Sequence, residues 1–131
     1  MVLFSANTFA AVPALSCPSV SAIKQAPGSQ GGFVYTALLP DGKQWIGKNI
    51  QAEAGDLKRV KFKEACIINV KNYVACDYAI PKRTGGMRMT LESAATIEPI
   101  GVTWNDQHQP DGGILPRCAS RKASACTFAI K

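Results

Sequence analysis

The residues of this 131-residue chain best able to do chemistry are one histidine and five cysteines. Any imidazole acid, base or metal ligand must be His108, whose nearest carboxylates in sequence are Asp106 and Asp111. A zinc centre needs three or four ligands at short, fixed spacings, and no C-x-x-C pair helps to supply them. A triad-type serine needs a structured turn of the G-x-S-x-G kind, which the sequence lacks. The nine acidic residues are scattered singly, so no two carboxylates are set to share proton transfer as in glycosidases. Gly31-Gly32 and Gly85-Gly86 read as turns, since neither opens a helix nor carries the lysine of a phosphate loop. The expectation is a protein that is not an enzyme and uses no cofactor and no metal.

Cysteine has a different use here. Cys17, Cys66, Cys76, Cys118 and Cys126 would be liabilities in an oxidising space unless most were paired. Cys118 and Cys126 enclose a short polar loop, residues 119–125, that nothing else would hold, and are expected to be bridged. The other three cysteines leave alternatives open. Cys66 can face Cys76 across a hairpin, or lie buried as a free thiol while Cys17 reaches Cys76. Cys17 can also carry a lipid, because Ala14-Leu15-Ser16-Cys17 loosely follows a lipobox, although leucine is usual where Ala14 stands and Pro18 follows.

Charge supplies the surface signal. Fifteen Lys and Arg against nine Asp and Glu leave a formal charge of +6. Lys58, Arg59, Lys61 and Lys63 lie close together, and Lys71, Lys82, Arg83 and Arg88 follow on neighbouring turns and strands, so one face or edge should be electropositive. The candidate binding residues are Arg59, Lys61, Lys63, Lys82, Arg83 and Arg88. Such a stripe fits an acidic protein surface or anionic lipid head groups, and it also serves as a solubility device that discourages edge-to-edge aggregation. Nucleic acid is not expected, because no aromatic pair is interleaved with the charges. Trp45 and Trp104 fall at strand positions and belong in a core.

The elements that must position these residues are mostly strands. Pro18 opens a short expected helix over 16–25, with Val20 and Ile23 on one side, which Pro27-Gly28 stops. Phe33, Tyr35, Ala37 and Leu39 then alternate up to the hairpin signal Pro40-Asp41-Gly42, after which Gln44, Trp45 and Ile46 begin a return strand. Residues 51–56 are a polar connector. Val60, Phe62, Cys66, Ile68 and Val70 are assigned to one face of the next strand, opposite Arg59, Lys61 and Lys63. Lys71-Asn72 turns the chain, and Val74, Cys76, Tyr78 and Ile80 return on the apolar face. Met87, Met89 and Leu91 alternate with Arg88 and Thr90. A strand around 97–104 is demoted to an edge or bulge by Pro99 and Gly101. Residues 106–116 read as a loop, and 126–130 as a short closing strand. The fold class is α+β, mainly β: an antiparallel meander sheet of five to six strands with a short N-terminal helix, stabilised by disulfides.

Length and composition allow one domain. With 47% hydrophobic and 18% charged residues the chain is neither disordered nor low-complexity, and it is too short for two domains of ordinary size. The uncharged, apolar start ending in small residues resembles the back half of a secretory signal peptide. Cleavage after Ala10 puts Thr8 and Ala10 at the small-residue positions, whereas cleavage after Ala11 would put Phe9 there. Residues 1–10 are therefore read as residual signal peptide and 11–131 as a single exported globular domain, located in the periplasm.

A resemblance extends this reading. Cys17-Pro18-Ser19-Val20 with Ile23-Lys24, Tyr35, Asp41-Gly42-Lys43-Gln44-Trp45 with Gly47, Val74-Ala75-Cys76-Asp77-Tyr78, Trp104, Cys118 and Cys126-Thr127-Phe128 together resemble a family of small exported proteins in intracellular gammaproteobacteria. That family, long catalogued as a domain of unknown function, includes the EirA-type proteins associated with type IV secretion. The resemblance implies a periplasmic, non-enzymatic accessory protein that supports a type IV secretion system and intracellular replication. Its partners would be envelope proteins, among them parts of the secretion apparatus, with peripheral membrane contact and a homodimer left open. It also marks Cys17, Cys76, Cys118 and Cys126 as the cysteines in family-like contexts, which makes Cys66 the extra one and favours Cys17 to Cys76. An alternative function is a small periplasmic enzyme inhibitor or binding module that uses residues 106–116 as a plug.

Overall fold

The computed structural model describes residues 12–82 and 85–131. The expected signal peptide, its cleavage after Ala10, and Arg83 lie outside the described residues. Among the described residues the strands are β1 (Leu15–Ser16), β2 (Lys24–Pro27), β3 (Phe33–Leu38), β4 (Gln44–Asn49), β5 (Lys61–Ile68), β6 (Tyr73–Ala79), β7 (Gly86–Glu92), β8 (Ile97–Ile100), β9 (Asn105–His108), β10 (Ile114–Ala119) and β11 (Thr127–Ile130). They form an antiparallel sheet of eight strands, ordered β2-β3-β4-β7-β6-β5-β10-β9, and a smaller one ordered β1-β11-β8. No helix among the described residues is long and apolar enough to cross a membrane.

The mainly β, antiparallel, disulfide-bridged character is as expected, whereas the expected count of five to six strands is too low. Two omissions account for much of the difference. β9 contains no apolar residue, so it gives no alternation to read. β10 contains Pro116, which stands just beyond the residues paired to β5, so its missing N–H costs no bond to that strand. Residues 106–116 are therefore not a loop but most of a hairpin, with Ile114 opposite His108 and Arg117 opposite Asn105.

The expected helix over 16–25 is absent. A single 3-10 turn, Val20–Ala22, is flanked by β1 and by β2, which pairs with β3 from Lys24↔Thr36 to Pro27↔Phe33. So short a helix gains too little from propensity to stand alone. The extended alternative gives the segment a ladder of backbone hydrogen bonds, buries Ile23, and allows Pro27 to end an edge strand.

β5 holds the main surprise. Phe62 pairs with Tyr78 and Glu64 with Asp77, so Lys63 is an extra residue, a β-bulge, and the alternation reverses across it. Beyond the bulge Ala65 and Ile67 are fully buried, while Cys66 and Ile68 turn to the open face and Val70 is 92% exposed. The assignment of Cys66, Ile68 and Val70 to the face of Val60 and Phe62 is thereby corrected. The hairpin bridge from Cys66 to Cys76 falls with it, since Cys76 lies on the packed face. Cys17 is bridged to Cys76 and Cys118 to Cys126, which leaves Cys66 as a free thiol and removes lipidation of Cys17.

The packed face of the large sheet meets the small sheet. Trp45, 1% exposed, stands edge-on to Phe128 of β11 with ring centroids 6.0 Å apart, and Met89, Leu91, Val74, Ile67 and Ile97 fill the space around them. Gly47 lets β4 and β7 close up: a Cβ there would come within 2.5 Å of the Arg88 carbonyl oxygen. Trp104 is half-buried, and its indole N–H donates to the Thr127 carbonyl at 2.7 Å. β8 is an edge strand, as Pro99 suggested.

Candidate functional site

The candidate binding residues separate into two groups. Arg88 projects from β7 and is already engaged: its Nε donates to Asp77 Oδ1 at 2.7 Å and its Nη2 to Oδ2 at 3.0 Å. Those hydrogen bonds push the guanidinium pKa up despite partial burial. Arg117 of β10 engages Glu64 through its Nε on the same face, so two neighbouring cations of the open face are neutralised by carboxylates. Arg59 follows the 3-10 turn Asp56–Lys58 and is exposed, as is Lys82 in the turn after Ile80. Lys61 and Lys63 are exposed at the start of β5, and among the described residues no carboxylate pairs with either.

Lys61 and Lys63 have neighbours that the sequence did not single out. Arg121 joins them around a shallow hollow, and Arg121 and Lys122 stand with Lys61 around a larger cleft. Both new cations belong to the loop closed by Cys118 and Cys126, a bridge with a separation of only 8 residues. That was the available signal, since two adjacent cations on a tightly closed loop are presented in a fixed direction.

The cleft has a volume of about 880 Å³. Its floor is Trp45, Tyr78 and Cys17, all buried, and its apolar walls come from Val20, Leu39, Val60 and Phe62. Five stretches distant in sequence thus converge, and the Cys17 to Cys76 bridge and the Tyr78 hydroxyl, which donates to the Pro18 carbonyl, tie two of them together. Phe62 stacks edge-on to Tyr78 at 5.6 Å. Ser16, Ser19 and Ser124 add hydroxyls to the lining, and Lys61, Arg121 and Lys122 supply charge. Neither a carboxylate nor a histidine is part of it.

This arrangement suits binding better than proton transfer. Burial pushes the Tyr78 phenol far above its ordinary value of 10.0, so it remains a hydrogen-bond donor at neutral pH. The Cys66 thiol is raised first by burial and then by Glu64 and Asp77, with Arg117 and Arg88 opposing, which makes it a weak nucleophile on the far face of the sheet. His108 is exposed on edge strand β9. Among the described residues no three His, Cys, Asp or Glu side chains cluster closely enough to hold a metal ion.

Fold and site together define a small disulfide-bridged β-sandwich that carries an apolar, basic-rimmed cleft. Residues 10–129 match the model of a family described as protein of unknown function, DUF3757, and the chain belongs to that family. No curated protein and no solved structure matches it.

Proposed function

We propose that the protein is a non-enzymatic, exported accessory or scaffold module that supports a type IV secretion system and intracellular replication by holding an acidic envelope protein. The likeness of its motifs to EirA-type proteins supports the setting, and two disulfides in so short a chain suit the periplasm. The docking surface is the ridge of Lys61, Lys63, Arg121 and Lys122. Its carrying observation is that these cations stand together without ion-pair partners among the described residues, while Asp77, Glu64 and Glu98 are taken by Arg88, Arg117 and Lys131. Unpaired like charges on a rigid frame steer an oppositely charged partner and set its orientation.

The test is cross-linking in intact envelopes, comparing wild type with a variant carrying Lys61→Glu, Lys63→Glu and Arg121→Glu. An acidic cross-linked protein that disappears in the variant and fades as salt rises supports the reading. Undiminished cross-linking overturns it. A second reading, inhibition of an acidic-clefted enzyme by a plug, is favoured by the β9–β10 hairpin, where all of β9 and Ile114 are exposed. Cross-links that move to Gln107 and Ile114 would select it.

A further inference from the structure

We infer that the cleft seats an extended acidic peptide, which places apolar side chains against Leu39, Val20 and Phe62 while its carboxylates meet Lys61, Arg121 and Lys122. The inference rests on the ridge being a docking surface and adds what lies beside it. The cleft, at about 880 Å³, has the capacity typical of ligand sites, about 300–1,000 Å³. Val20, Leu39 and Phe62 pack against the core yet stay only half-buried, apolar surface left in water that an occupant would cover. Charge complementarity is one-sided, because three cations and no acid contribute to the lining.

Two features favour a peptide over a hydrocarbon chain. Ser16, Ser19 and Ser124 belong to the lining, and an acyl chain would strip water from hydroxyls without returning a hydrogen bond, whereas peptide amides return it. β1 is also an edge strand of the small sheet, paired with β11 alone, and its Ser16 lines the cleft. An extended segment can add to such an edge by main-chain hydrogen bonds and place alternate side chains in the apolar walls.

Selection of a phage-displayed library of random linear peptides on the oxidised protein tests this. Enriched clones should combine net negative charge with Leu, Ile, Phe or Trp. As fluorescein-labelled synthetic peptides they should bind about tenfold more weakly to Leu39→Ser, a substitution at a half-buried position whose fold circular dichroism would verify. Lys61→Glu with Arg121→Glu should also weaken them and flatten the salt dependence. Acidic clones that lack apolar residues and ignore Leu39→Ser would overturn the cleft inference and leave the ridge reading standing. Basic or uncharged clones would overturn both, whereas no enrichment above blank beads would overturn the cleft inference alone and leave the ridge to the cross-linking test. Binding to phosphatidylglycerol vesicles without peptide enrichment would assign the cleft to lipid and likewise overturn the inference.

Discussion

The β5–β6 hairpin has two faces that share a backbone and little else. On one, Ala65, Ile67, Val74, Cys76 and Tyr78 are fully or almost fully buried, and Cys76 is tied to Cys17. On the other, Glu64, Cys66 and Ile68 stay partly open beside Asp77, and charges are matched to Arg88 and Arg117. Stability concentrates on the first face, because apolar burial and a long covalent loop act there, while exposed ion pairs contribute about 0–1 kcal/mol each. What separates the faces is one extra residue, Lys63. Its bulge decides which of two adjacent cysteines becomes structural and also turns the start of β5 so that Lys61 reaches the cleft.

The largest effect should come from the packed face. Replacing Cys17 and Cys76 together by Ser opens a bridge of sequence separation 59 and should cost about 4 kcal/mol in the chain-entropy model. Opening Cys118 to Cys126, of separation 8, should cost nearer 2.5 kcal/mol. Denaturant midpoints of the two double variants measure the difference. Equal losses would mean that the long bridge does not carry the hairpin. The adjacent pair Ile67→Ala and Ile68→Ala is sharper: about 3 kcal/mol is expected for the fully buried residue and about 1 kcal/mol or less for its half-exposed neighbour. A reversed order would remove the bulge.

That pair also shows where sequence reading stops. Alternation located the strands around Phe33, Val74 and Met89, the core position of Trp45, and the closing strand at Phe128, because each has a local period. It failed at Lys63, since a bulge changes parity without changing composition, and both Cys66 and Ile68 were plausible core residues. The segment after Cys17 failed for another reason: Pro18, Val20 and Ile23 allow a helical turn, and pairing with β3 overrode it. Of the candidate site, Lys61 and Lys63 were legible as a charge run. Arg121, Lys122 and the walls from Val20 and Leu39 were not, because only the topology brings residues so far apart in sequence to one cleft.

A smaller effect joins the cleft floor to pH. Burial raises Tyr78 above 10.0, so the native state holds that proton more tightly than the unfolded chain does. The resulting stabilisation is complete below pH 10 and erodes as pH climbs beyond it. Tyr35, raised by burial and then by Asp56, acts with the same sign. Tyr78→Phe should therefore lose about 1–2 kcal/mol at pH 8, from the hydrogen bond to the Pro18 carbonyl, yet decline less steeply above pH 10. Urea titrations at several pH values would show the two curves converging. Parallel curves would mean that Tyr78 does not titrate with unfolding.

The smallest change in stability is expected at Cys66, and it tests the open face directly. Cys66→Ser should shift stability by about 0.5 kcal/mol or less, since the side chain is only partly covered and unbridged. Its reactivity should be the informative quantity. Because burial, Glu64 and Asp77 raise the thiol, iodoacetamide should modify the native protein slowly at neutral pH and faster as pH rises. At a fixed pH, Asp77→Asn should accelerate alkylation by removing an anion and freeing Arg88, and Arg117→Gln should slow it by removing a cation that opposes the shift. A thiol on the packed face would behave differently, staying silent until the chain unfolds and remaining indifferent to either substitution. Modification at the unfolding rate, with no response to Asp77→Asn, would place Cys66 inside and erase the distinction between the two faces.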